Sequence, residues 1–444
     1  MPQSNPAIDG GWRLDHGFRL LIPAKRRADI PRIRSARRLQ KDRSPWMFEV
    51  RKGGEVVMKN TNRRTRRLHK LGMVLSGGGA RGAFQVGVYE RLLRDPRFAE
   101  GPTVLSGTSA GAINSALIAA GKSPREMMAF WNGIADDPPA MASPLFFRTA
   151  IETLFRLTAR EIAAGLLPGR RWNGFLQRLR NHFPPRRGSL AALFVEYLLT
   201  VRFELISDFL EGIREPYLAD TSALRARLVD ALGGDTVPHN GIEIAINTVD
   251  AHTGHVVRFV TKETPLTRPP DYHIVDAITV DMVLASCSIP LMFPPVRIGR
   301  HLLWDGGLLV NTPLAPVVAL GAEEIITVLV TEPPDPQSGP FPHFGRAVER
   351  TVDSFLENAY NVDRKLLLER NRLAQLEASP YRAVTLYEAV RPARDNTFNA
   401  GSYLYFERGV LAAMHAAGRR AASSWLAHGP RIDHLEEPAA GAAA

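Results

Sequence analysis

The sequence predicts an α/β fold, on three observations. Residues 71–75 read as a short buried strand that runs through Ser76-Gly77-Gly78-Gly79-Ala80-Arg81-Gly82 into a helical segment at 83–93, with Phe84, Val88 and Leu92 on one face. Residues 103–121, TVLSGTSAGAINSALIAAG, repeat the plan of strand, sharp turn and helix. Beyond a long interruption the pattern returns as strands at 242–249 and 256–260, a helix at 313–320 closed by Gly321, and a β-branched strand at 324–331. Short buried strands alternating with helices belong to sheets covered by helices.

Composition sets limits on function. The chain has 444 residues, 45% hydrophobic and 23% charged, enough for a large buried core. Its one cysteine, Cys287, excludes an internal disulfide and fits a reducing compartment. The twelve histidines lack ligand-like spacing, so no metal is expected. Residues 1–70 hold 19 Lys+Arg against 6 Asp+Glu, whereas the whole chain is only +11, so the basicity belongs to an N-terminal arm and the rest is slightly acidic. The arm is expected to be disordered and to attract anionic membrane, with nucleic acid a less favoured partner. Neither a secretory signal nor a transmembrane helix is legible, and a cytoplasmic protein, peripheral at a membrane, is expected.

Along the chain, Gly53-Gly54 splits a short strand pair around residues 46–57 in the otherwise aperiodic arm, and order begins near residue 70. Gly77, Gly79 and Gly82 satisfy GxGxxG, but Asp95 and Glu100 precede the second strand and its end is taken by the serine turn, which argues against a dinucleotide. No cofactor is expected. Ser123-Pro124-Arg125-Glu126 reads as a helix start. Residues 145–235 form a helical insertion, in which 145–190 interleave nine arginines with Phe146, Phe147, Phe155, Trp172, Phe175 and Phe183, a composition that suits a lid or lipid interface. A helix is expected over 274–289. Apolar positions 344, 348, 352, 355, 359, 362, 366, 373 and 376 define one long amphipathic helix, whose stripe is expected to pack on the parent domain, with a homodimer through residues 344–376 as the alternative. A strand at 383–389, a helix at 402–426 and a disordered tail at 438–444 complete a C-terminal extension, residues 332–437, expected to pack on a catalytic domain of residues 71–331.

The chemistry begins at the serine. Ser109 stands at the apex of Gly107-Thr108-Ser109-Ala110-Gly111, where a strand-to-helix turn exposes a hydroxyl and Gly107 and Gly111 permit close packing. It is the candidate nucleophile. Consecutive glycines at 77–79 leave backbone N–H groups bare at a helix start, suited to an oxyanion. Asp305-Gly306-Gly307, after an apolar strand, reads by itself as a plain turn.

Taken together, GGGARG at 77–82, GTSAG at 107–111, ASCSIP at 285–290 and DGG at 305–307 resemble the patatin-like phospholipase family in type and order. The resemblance implies a three-layer α/β/α fold with a central, mostly parallel sheet, and a serine–aspartate dyad without histidine acting on lipid acyl esters. It makes Ser109 the nucleophile, Asp305 its base, and the amides of Gly77, Gly78, Gly79 and Arg81 the oxyanion hole. Asn311 and Pro313 become structural. Two alternatives remain open: a Ser-His-Asp esterase using His343, His415 or His428, and a lipid-binding or scaffolding module without catalysis.

Overall fold

The computed structural model describes residues 46–50, 56–60, 70–137, 144–165, 203–214, 216–333, 344–376, 381–394 and 400–435, with 379 and 398. Most of the basic arm, much of the arginine- and aromatic-rich insertion and the 438–444 tail lie outside these residues. The chain divides into two units, Met1–Arg67 and Leu68–Ala444. In the first, β1 (Trp46–Val50) and β2 (Val56–Asn60) pair antiparallel.

The second unit is built on a nine-stranded, mostly parallel sheet. β3 (Leu71–Leu75), β4 (Val104–Gly107) and β5 (Glu243–Asp250) run parallel to one another, and β10 (Glu324–Val328) and β11 (Thr385–Leu386) extend the sheet beyond β3. β6 (Val256–Val260) and β7 (Tyr272–Ile274) extend it beyond β5, and β8 (Val296–Ile298) pairs with β9 (His301–Asp305). Alternation along the strands sends residues to two separate cores. Met73, Leu75, Leu105, Ile244, Ile246 and Ile326 pack into one, and Val74, Val104, Ala245 and Ile325 into the other.

Helices cover both faces. On the first lie α1 (Gly82–Leu93), α2 (Ala110–Ala119), α3 (Pro124–Asp136), α6 (Ser222–Leu232), α7 (Val280–Ser286) and α10 (Arg408–Ala427). α8 (Leu314–Ala319) and α9 (Phe344–Leu373) cover the second. Helices α4 (Pro144–Gly165) and α5 (Phe203–Gly212) pack on each other. The sheet between two helical layers is the three-layer α/β/α arrangement expected.

Local chemistry sets several boundaries. Ser123 accepts from the Glu126 amide while Glu126 bonds back to Ser123, a capping box that starts α3 with proline in its first turn. The helix expected over 274–289 is shorter, because residues 272–274 pair with β6 and Thr279 caps the first turn of α7. A larger difference concerns α9. Its stripe does not pack on the parent: Val348, Val352, Phe355, Val362 and Leu366 are exposed. Tyr360, Leu367 and Leu368 are buried instead, with the carboxylates Glu349, Asp353 and Glu357. Asp353 takes the Tyr403 hydroxyl at 2.6 Å, and Glu357 takes Arg391 at 2.7 Å and the Thr331 hydroxyl. Bound carboxylates on the inner face let α9 dock by polar contacts and leave the apolar positions outside.

Candidate active site

Strand register brings the site together. β4 pairs with β5 as far as Gly107 opposite Ile246, and there β4 ends. Two residues farther along, β9 takes over with Asp305 opposite Thr248, while β6 occupies the other edge of β5. The turn that leaves β4 therefore runs into the end of β9. Adjacent parallel strands β3 and β4 deliver the Gly-rich loop and the serine turn from their carboxyl ends, where α/β sheets bind ligands.

Ser109 lies at the start of α2 with φ 55° and ψ −124°, a positive φ that few residues other than glycine adopt. A Cβ on Gly107 would strike the Gly111 carbonyl, and one on Gly111 the carbonyl of Leu75, so both positions of the turn require glycine. Asp305 accepts from the Gly307 amide at 2.7 Å, and the Ser109 side chain lies close enough to favour its charged form. Asp305 is buried, and the loss of hydration pushes its carboxyl up to about 6 despite the opposing effect of Gly307 and Ser109.

The Gly-rich loop presses against the same turn: a Cβ on Gly77 would stand 3.2 Å from that of Ser109. Not every amide named from the sequence is available there. Gly77 N–H donates to the Asn311 carbonyl at 3.0 Å, and Arg81 N–H to the Gly78 carbonyl at 3.1 Å. Both are corrections to the expected oxyanion hole, because an amide already bonded within the protein cannot also face a substrate oxygen. The amides of Gly78 and Gly79 have no acceptor among the described residues, and neither has that of Ala110, immediately after Ser109. The sequence reading missed Ala110, whose signal is its place as the first residue of the helix.

Arg81 supports the loop from behind. It is fully buried, donates through Nε to Ser402 at 2.9 Å and through Nη1 to the Val330 carbonyl at 3.0 Å, and stacks 3.6 Å from the centre of the Tyr403 ring. Beside it Gln85 donates to the Ser76 carbonyl at 2.7 Å, and Asn114 binds Gln85, the Gly82 carbonyl and the Trp131 indole.

The ASCSIP segment joins nucleophile to base. Ser286 Oγ accepts the Ser109 amide at 3.0 Å and donates to the Asn247 carbonyl at 2.6 Å. Cys287 Sγ donates to the Ser109 carbonyl at 3.4 Å, and the Asp305 amide donates to the Ser288 carbonyl at 2.9 Å. Burial pushes the Cys287 thiol well above its usual range, so it stays protonated. Asn247 donates to Ser106 Oγ at 3.2 Å and to the Gly107 carbonyl at 2.9 Å. A lone amide in the apolar run of β5 was the signal for it. Thr108 Oγ1 donates to the Val310 carbonyl at 2.8 Å, tying the serine turn to the segment that follows Asp305-Gly306-Gly307.

Two of the three histidines of the alternative triad point elsewhere. His415 Nε2 faces Glu90 at 2.8 Å and His428 Nδ1 lies 2.8 Å from the Ser424 carbonyl, while His343 is outside the described residues. Among the described residues no group of three His, Cys, Asp or Glu could hold a metal ion, and no helix is long and apolar enough to cross a membrane.

A family model described as patatin-like phospholipase matches residues 73–318. No curated protein is significantly similar to the chain. Among solved structures, VipD from Legionella pneumophila is 15% identical with a TM-score of 0.37, over 88% of this chain and 71% of VipD. The type III effector ExoU is 16% identical with a TM-score of 0.33, over 81% of this chain and 53% of the ExoU chain, so the match spans about half of that protein. ExoU in its heterodimer with SpcU, from the type III secretion system of Pseudomonas aeruginosa, is 18% identical with a TM-score of 0.25, over 70% of this chain and 55% of that chain.

Proposed function

The chain belongs to the patatin-like phospholipase family, and from that premise we propose that it is a serine lipid acyl hydrolase, of phospholipase A, lysophospholipase or esterase type, that cleaves carboxylic esters with Ser109 and Asp305. One observation carries the reading: a serine held at φ 55° on a strand-to-helix turn stands beside a buried aspartate, close enough to favour its charged form. In the proposed reaction Asp305 takes the hydroxyl proton as Oγ attacks the ester carbon. The carbonyl oxygen becomes an oxyanion, received by the amides of Gly78, Gly79 and Ala110 at the N-terminal end of α2, where the helix dipole adds to their effect. Collapse of the tetrahedral adduct breaks the bond to the alcohol, which leaves with the proton returned from Asp305. Water, deprotonated by the same carboxylate, then releases the fatty acid and restores the serine.

A carboxyl near 6 is a better proton acceptor than one near the ordinary 3.8, and it is still ionised at neutral pH. Two exposed leucines, Leu291 just after the ASCSIP segment and Leu309 just after Asp305-Gly306-Gly307, give the vicinity apolar surface suited to an acyl chain.

The test compares hydrolysis of short-chain nitrophenyl esters and phospholipid vesicles by the wild type, Ser109→Ala, Asp305→Asn and a His415→Ala/His428→Ala pair, with fluorophosphonate labelling of the serine. Loss of turnover in the first two variants, loss of labelling in Ser109→Ala and full activity in the histidine pair are expected. Labelling at another serine, or activity that survives in Ser109→Ala, would overturn the reading.

A further inference from the structure

The outward face of α9 carries a seam with the spacing of helix-to-helix contacts. Positions 348, 352, 355, 359, 362 and 366 alternate steps of four and three, the pattern of residues that meet another helix. Val348, Val352, Phe355, Val362 and Leu366 are 39–63% exposed, and Leu373 and Leu376 continue the spacing on the same terms. The opposite face packs on the body of the protein. A straight helix drifts about 20° per seven residues against such a repeat. Contact along the whole seam therefore needs a partner helix that winds with it, a demand that a flat lipid surface does not make.

We propose that α9 pairs antiparallel with α9 of a second copy of this chain. The seam complements itself in that direction. With a two-fold axis at the level of residue 357, Val348 meets Leu366 of the second copy, Val352 meets Val362, and bulky Phe355 meets small Ala359. On one flank of these layers Thr351 stands near Lys365 and Asn358 near its own copy, so no like charges meet there, and on the other flank Glu349 is buried. A parallel, in-register pair would instead set Glu369, which occupies the next seam position, against itself. Stable interfaces bury about 1,200 Å² or more in all, so the pairing requires the flanks as well as the seam. The pairing is isologous, as in most homodimers, and it does not depend on catalysis at Ser109.

Light scattering on the full chain at micromolar concentration tests it, with Phe355→Glu/Leu366→Glu as the disrupting variant and circular dichroism to check its fold. The wild type is expected at twice the chain mass and the folded variant at the single mass. Because Cys287 is buried, engineered surface thiols report without background. Asn358→Cys should form a disulfide-linked dimer under oxidation, and Thr351→Cys mixed with Lys365→Cys should cross-link more than either alone. A monomeric wild type, a dimer that persists in the charged variant, or cross-linking through Glu369→Cys in place of Asn358→Cys would overturn the proposal.

Discussion

Burial lifts the Asp305 carboxyl from 3.8 to about 6 against the Gly307 amide and the neighbouring Ser109 side chain, which favour its charge, so desolvation is the larger effect. The proposed base is the ionised form, and kcat/KM should fall tenfold per pH unit below about 6 and level off above it. Stability runs the other way. The folded state binds the proton more tightly than the unfolded chain does, so this residue's contribution is fully present below pH 3.8 and lost as pH rises through 6. At neutral pH the ionised carboxylate costs on the order of 3 kcal/mol relative to the neutral acid. Asp305→Asn is therefore expected to abolish turnover while raising the denaturation midpoint at pH 7, with the gain shrinking towards pH 4. An inactive but destabilised variant would show that the carboxylate holds the fold instead. Ser286 makes a different demand. Removing its hydroxyl leaves the Ser109 amide without its acceptor and frees the turn to shift. Ser286→Ala should lower kcat by about 10- to 100-fold with KM little changed, and Ser286→Thr should restore most of it. Equal loss in both variants would reduce Ser286 to packing.

At the scale of elements, α1 and α10 cross with their backbones in contact. A Cβ on Gly87 would lie 2.9 Å from the His415 carbonyl carbon and one on Gly418 2.9 Å from that of Phe84, so each glycine admits the other helix. Gly418→Ala should cost about 1–3 kcal/mol by overpacking, even though alanine favours a helix, and a urea titration reads the sign directly. That crossing was not legible in the sequence, because a glycine inside a helical pattern says only that a side chain is absent. The strands and motif helices were legible, since buried β-branched runs ending in glycine turns carry their own signal. Ser109 was legible for the same reason. The availability of each amide was not: whether Gly77 points free depends on where Asn311 arrives from 234 residues away. The stripe on α9 was legible as a stripe, but which way it faced depended on buried carboxylates that periodicity ranks as surface.

At the scale of the molecule, the family match ends at residue 318, yet the Gly-rich loop is anchored by residues beyond it. Arg81 reaches Val330, Ser402, Tyr403 and, at 3.6 Å, Asp353 on α9. We propose that the C-terminal extension, residues 332–437, serves the catalytic domain by holding this arginine in place. Its guanidinium is fully buried and the Asp353 side chain nearly so, which makes the pair sensitive to the loss of one member. Breaking a buried pair costs about 3–5 kcal/mol because the remaining charge is uncompensated, whereas replacing both by apolar residues is often neutral. Asp353→Asn should accordingly lower the denaturation midpoint and also kcat, although Asp353 touches no residue of the proposed dyad. Arg81→Met/Asp353→Leu should recover the stability. The two readouts separate support from catalysis: if the double variant is stable but slow, the arginine fork sets the position of the Gly78 and Gly79 amides. A double variant that regains both stability and full turnover would show that any filler behind the loop suffices and that the extension contributes packing alone.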